Sequence, residues 1–182
     1  MTKDGRSWRI GTADDVGWLA GQTTHGISVT TAIPEVFDAY ATFYPADGIG
    51  SEAHERAVVD ELVAHTADQP WWLGYLDTGA HDIVFPLAPK VALYAGWPYV
   101  IVQAGPEQAL TWRHGHMRGD GPLPDLFYPQ DRSWLVSALW DDTWSNIGGT
   151  TAVVTALQGN PLVNARPVRP DEDSLPPGLV RE

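Results

Sequence analysis

The chain contains no cysteine. Disulfides, thiolate metal sites and cysteine nucleophiles are therefore excluded. Positive charge is scarce: eleven Lys and Arg stand against 23 Asp and Glu, for a net charge of −12. The basic residues are scattered, and phosphate backbones are held by clustered Lys and Arg, so non-specific nucleic-acid binding is not expected. No apolar run approaches the ~18 residues that a membrane-spanning helix needs. The opening MTKDGRSWRI has no apolar segment of the kind a secretory signal carries. The expectation is a soluble, cytoplasmic protein without a membrane partner. Walker-A, G-x-G-x-x-G and G-x-S-x-G motifs are also missing, and no nucleophilic triad can be assembled from spacing. No cofactor is implied.

What is present is aromatic. Nine Trp, six Tyr and four Phe accompany 43% apolar residues, enough for one core in a chain of 182 residues. Three tryptophans fall within Asp131 to Gly149, DRSWLVSALWDDTWSNIGG. From Ser133 to Trp140 the residues alternate. Trp134, Val136, Ala138 and Trp140 share one face, and Leu135, Ser137 and Leu139 the other, as in a strand. Asp141 and Asp142 favour a turn, and Trp144 to Ile147 forms the return strand. Gly148-Gly149 ends it, and Thr150 or Thr151 caps a helix to Gln158.

Upstream, Thr12 to Asp15 has the capping-box pattern before a helix over Ala13 to Gln22. Ile27 to Ile33 reads as a strand or extended lead-in. Val36, Phe37, Tyr40, Ala41 and Tyr44 recur at helical spacing between Pro34 and Pro45, which predicts a second helix. The strongest helix spans Glu52 to Thr66, with Ala57, Val58, Leu62 and Val63 inward and Glu55, Arg56, Asp60 and Glu61 outward; Glu52 and Arg56 form an i,i+4 pair. Trp71 to Leu76 (WWLGYL) reads as a buried strand, Val91 to Tyr94 and Tyr99 to Gln103 as a hairpin, and Pro106 to Arg113 as a short helix. Leu126 to Tyr128 fits an edge strand, and Leu162 to Val168 a last strand that Pro167 keeps at an edge. The predicted fold is α+β: one domain over residues 11–169, a mostly antiparallel sheet with helices packed on one face. Residues 1–10 and the acidic segment 170–182 are expected to be flexible.

Three site readings follow. His114 and His116, with Asp120 four residues on, have the spacing of two ligands on one strand face plus a carboxylate. Glycines interrupt the segment and no further ligand is tied to it, so the preferred reading is a loop whose Arg113, His114, His116 and Arg118 make a small basic patch. Asp141 and Asp142, with Asp131 earlier, could gather as carboxylates for acid/base work or a hard cation; turn chemistry explains the pair without either role. Trp71 and Trp72 cannot point to the same face of a strand, so one of them is exposed or covered by another element. An acidic surface with exposed aromatic anchors suits a basic protein. The candidate binding residues are thus Trp71, Trp72, Trp140, Asp141, Asp142 and Trp144. The leading expectation is a non-enzymatic protein-binding module. A small hydrolase using Asp and His, with or without a metal, and a structural subunit of a larger assembly are the alternatives.

The pattern DRSW-LVSALWDD-x-W-x-x-IGG followed by NPLVNARPV, together with IPEVFDAYATFYP and QPWWLGYLDTG, resembles small, acidic, Trp-rich proteins of high-GC bacteria between about Trp18 and Val168. That group has no assigned activity, so the resemblance carries over no catalytic residues. More loosely, the chain is similar in type to immunity proteins of bacterial toxin systems, which implies a basic protein as partner.

Overall fold

A computed structural model describes residues 2–3, 6–79, 85–112, 123–139 and 142–176. Its short first elements are β1 (Thr2–Lys3), β2 (Arg6–Ser7), β3 (Arg9–Ile10) and α1 (Ala13–Val16), followed by a 3₁₀ turn at Val29–Thr31 and β4 (Ala39–Phe43). Then come α2 (Ser51–Ala64), β5 (Trp71–Leu76), β6 (Val91–Leu93), β7 (Trp97–Ala104) and α3 (Pro106–Thr111). The chain continues through β8 (Leu126–Pro129), β9 (Trp134–Ser137), β10 (Ser145–Gly149), α4 (Thr151–Gly159) and β11 (Ala165–Val168).

β1 and β2 pair with each other. The other nine strands form one sheet in the order β11-β4-β10-β9-β8-β5-β7-β3, with β6 also on β7. Every pairing is antiparallel. The fold is α+β in a single domain, as expected. Alternation along the strands sends two sets of side chains to opposite faces. One face, with Phe43, Trp71, Leu73, Val102, Trp134 and Val136, is covered by α2, α3 and α4. The other, with Tyr40, Trp72, Ile101, Leu126 and Leu135, is covered by the N-terminal segment through Val16, Leu19, Val29 and Ile33. Gly148 is required beneath that segment, because a Cβ there would collide with Phe37 and Ile33.

Several sequence expectations are corrected. Pro34 to Tyr44 is not a helix: the run ends in β4, whose Ala41 and Phe43 face one core cluster and Tyr40 the other. The helix expected to Gln22 is only the single turn α1. Asp15 accepts hydrogen bonds from Thr12 N (2.9 Å) and Thr12 Oγ1 (3.1 Å), but Gly17 follows at once and the chain leaves the helix. Ile27 to Ile33 contains the 3₁₀ turn rather than a strand. β8 is internal, between β5 and β9. Arg56 reaches Glu107 on α3 at 3.7 Å.

Described residues of both terminal segments contact the rest of the chain. Arg9–Ile10 pairs with β7, and Trp8 stands edge-on to Trp112 with centroids 4.5 Å apart. In the tail, Asp173 bridges to Ser28 and Ser174 is buried. Arg166 holds this stretch: its guanidinium donates to Glu172 Oε1 at 2.6 Å and to the carbonyls of Asp173 (2.5 Å) and Leu175 (2.7 Å). β11 lies at the sheet border, with Pro167 in register with Ala41.

Candidate functional site

β9 and β10 pair from Gly149↔Trp134 to Asn146↔Ser137, and the connection between them returns to β10 through Asp142, Thr143 and Trp144. Two hollows lie beside its return limb, and Asp142 and Trp144 line both. The larger, about 490 Å³, opens between this limb, the end of β4 and the N-terminal turn of α2. Three carboxylates line it, Glu55, Asp125 and Asp142, with three aromatic side chains, Phe43, Tyr44 and Trp144. Among the described residues no Lys or Arg does.

Each wall follows from local sequence. Ser51, His54, Glu55, Val58 and Leu62 fall at i, i+3, i+4, i+7 and i+11 of α2 and so share its inward face. The apolar part of that stripe docks on the sheet. Its polar first turn, with His54 6% and Glu55 7% exposed, lies against the pocket. His54 Nδ1 donates to the carbonyl oxygen of Leu162 at 2.8 Å, which leaves Nε2 as the acceptor nitrogen of the neutral ring. Burial pushes the His54 pKa below its ordinary value, outweighing that hydrogen bond, so the ring is neutral at pH 7. Asp125 is fixed by Leu76 N–H, which donates to its Oδ2 at 2.8 Å, and its own carbonyl accepts from Ala138 N at 2.8 Å.

The structure separates the sequence candidates. Asp142 and Trp144 come together in the pocket wall. Trp71 and Trp72 point to opposite faces, as alternation requires, but both are core: they are 2% and 3% exposed. Trp71 packs edge-on against Trp134, with centroids 4.8 Å apart, and Trp72 lies 4.8 Å beneath the Arg9 guanidinium. Neither offers a surface anchor, because a second layer covers each face. Asp131 is at the far end of β9 from the turn. Hydrogen bonds from Gln69 and Ser133 N hold it there, and they outweigh burial to lower its pKa. Trp140, Asp141, His114, His116 and Asp120 lie outside the described residues. Among the described residues no group of three or more His, Asp or Glu is placed to hold a metal ion. The sequence reading missed His54 and Glu55, placing Glu55 outward; the signal was the phase of the α2 stripe, which continues through both.

No protein-family model, no curated protein and no solved structure matches the chain.

Proposed function

We propose that the chain is a non-enzymatic binding module for a basic protein, immunity-like in that it would act by covering its partner's positive surface, and that it works in the cytoplasm. The observation that carries this reading is the composition of the larger pocket: three carboxylates between three aromatic walls. Carboxylates set in a partly desolvated hollow attract a cation more strongly than they do in water. Aromatic faces add cation–π attraction. A volume near 490 Å³ admits a whole Lys or Arg side chain. The net charge of −12 would draw such a partner in from a distance and make its arrival salt-dependent.

Butylguanidinium and butylammonium isolate the cationic group from the rest of a partner. Titration into the ¹⁵N-labelled chain at physiological salt should give saturable shifts at the Trp144 indole and at Ser145. Glu55→Gln combined with Asp142→Asn should weaken binding at least ~10-fold, the size of one charged hydrogen bond. Glu107→Gln, on α3, serves as control and should leave it unchanged. Shifts that never saturate, or a control that weakens binding as much as the pocket variants, would sink the proposal.

The hydrolase reading stands second, on His54 alone. A neutral imidazole oriented by a main-chain carbonyl is the form a general base takes. Ester or amide turnover that disappears in His54→Gln would favour it.

A further inference from the structure

His54 stands in the wall of the acidic pocket with Glu55, Asp125 and Asp142. Its Nδ1–H is committed to the Leu162 carbonyl oxygen at 2.8 Å, so a second proton enters only at Nε2. The ring is 6% exposed and lies tilted against Phe43, with centroids 5.9 Å apart. The groups that share the pocket with it come from four stretches of chain. α2 contributes Glu55 and the uncharged Ser51, and the end of β4 contributes Tyr44. The residues before β8 contribute Asp125, and the limb entering β10 contributes Asp142. The segment after α4 meets the ring through a neutral carbonyl. Among the described lining residues, His54 is therefore the one group that can become positive.

A proton on His54 and a cation in the pocket draw on the same three carboxylates, and each repels the other. A hollow of about 490 Å³ is roughly 10 Å across, and two unit charges within that distance, at the effective dielectric of about 20 that describes sites near a protein surface, weaken each other's binding ~10-fold. The neutral ring imposes no such penalty.

We propose that His54 makes the acidic pocket pH-dependent: the pocket takes a cation while the imidazole is neutral and holds it less tightly once Nε2 is protonated. This rests on the reading of that pocket as a cation site, and it adds the condition under which a partner leaves. Burial already favours the neutral ring. The free chain is thus ready to bind at pH 7, and the change falls on the acid side of the ordinary imidazole value, about 6.5. The sign follows from linkage. A bound cation lowers the His54 pKa further, and acid lowers the affinity for the cation by the same factor. Affinity is full above the His54 pKa of the free chain and falls as pH drops through it.

The test follows the His54 ring by NMR across pH in the full ¹⁵N-labelled chain, assigned by through-bond correlation to its own backbone. Saturating butylguanidinium should lower the His54 pKa by about one unit. Its Kd should rise ~5-fold from pH 7.5 to one unit below the His54 pKa of the free chain. His25 and His65, which are exposed and outside the pocket, should titrate as before. Butylurea has the same shape without the charge and should leave the His54 pKa in place. Whatever affinity His54→Gln shows at pH 7.5, the decline centred on the His54 pKa should be gone in it; protonation of the carboxylates remains as a separate decline at lower pH. The pKa measurement needs no variant, so it stands if His54→Gln does not fold. No saturable binding of butylguanidinium at pH 7.5 would sink the cation-site reading, and this proposal with it. Saturable binding that leaves the His54 pKa unmoved would overturn this proposal alone. So would an equal fall in affinity in His54→Gln, or an equal pKa shift with saturating butylurea.

Discussion

Trp134 ties three parts of the chain together. Its indole Nε1–H donates to Thr66 Oγ1 at 2.7 Å, just beyond the end of α2. Its ring stands edge-on to Trp71 on β5, with centroids 4.8 Å apart, and to Phe127 on β8 at 5.8 Å. Such aromatic pairs add about 0.5–1.5 kcal/mol each beyond the area they bury. Trp134→Phe keeps an aromatic ring but removes the donor and leaves a void where the second ring stood. The expected loss is about 2–4 kcal/mol, read as a lower urea midpoint with an unchanged m-value. A midpoint within error of the parent would mean that neither the bond nor the ring contacts matter. His54 and Glu55 carry a different lesson at this scale. Either residue alone is an ordinary polar side chain on a helix, and only the phase of the stripe running to Leu62 places them inward.

Among the elements, the segment after β11 is held by the Arg166 side chain together with main-chain bonds to residues 27–29. Arg166 supplies a planar fork that reaches Glu172, Asp173 and Leu175 at once, and Ser174 N then bonds to the Ile27 carbonyl at 3.0 Å. Lysine keeps the charge but cannot form that fork. In Arg166→Lys, amide exchange at Ser174 should therefore speed up at least ~10-fold, the equivalent of about 1.4 kcal/mol, while protection in β5 and β7 is unchanged; unaltered exchange at Ser174 would show that the fork is dispensable. How much of the fold was legible depended on whether a segment's period was unambiguous. α2, β5, the β6–β7 hairpin, α3 and the run from β9 to α4 were readable because each had a single period and clear punctuation. Pro34 to Tyr44 was not. Its apolar residues satisfy helical spacing, and Ala39 to Phe43 equally satisfies alternation. Pairing with both β10 and β11 decided the outcome. The candidate pocket was legible only through Asp142 and Trp144. Its remaining walls come from the end of β4, from α2 and from the residues before β8, distant in sequence, which no local pattern joins.

For the molecule as a whole, the neutral state of His54 links stability to pH. Its folded pKa is lowered by burial, so across this range the unfolded chain binds more protons than the folded one, and stability rises with pH. The contribution is fully present above the unfolded value, about 6.5, and is lost as pH falls from there through the lowered folded value. Urea unfolding at pH 8, 6.5 and 5 should show this decline, and His54→Gln should flatten it. An equal decline in the variant would place the effect elsewhere. The sheet border has a further effect on how copies of the molecule meet. At β11, Pro167 interrupts the row of main-chain donors that a strand from another copy would need, and the stretch from Glu172 to Leu175 is pinned to Arg166 on the same strand. Crowded together, these molecules would find that margin a poor template for runaway stacking.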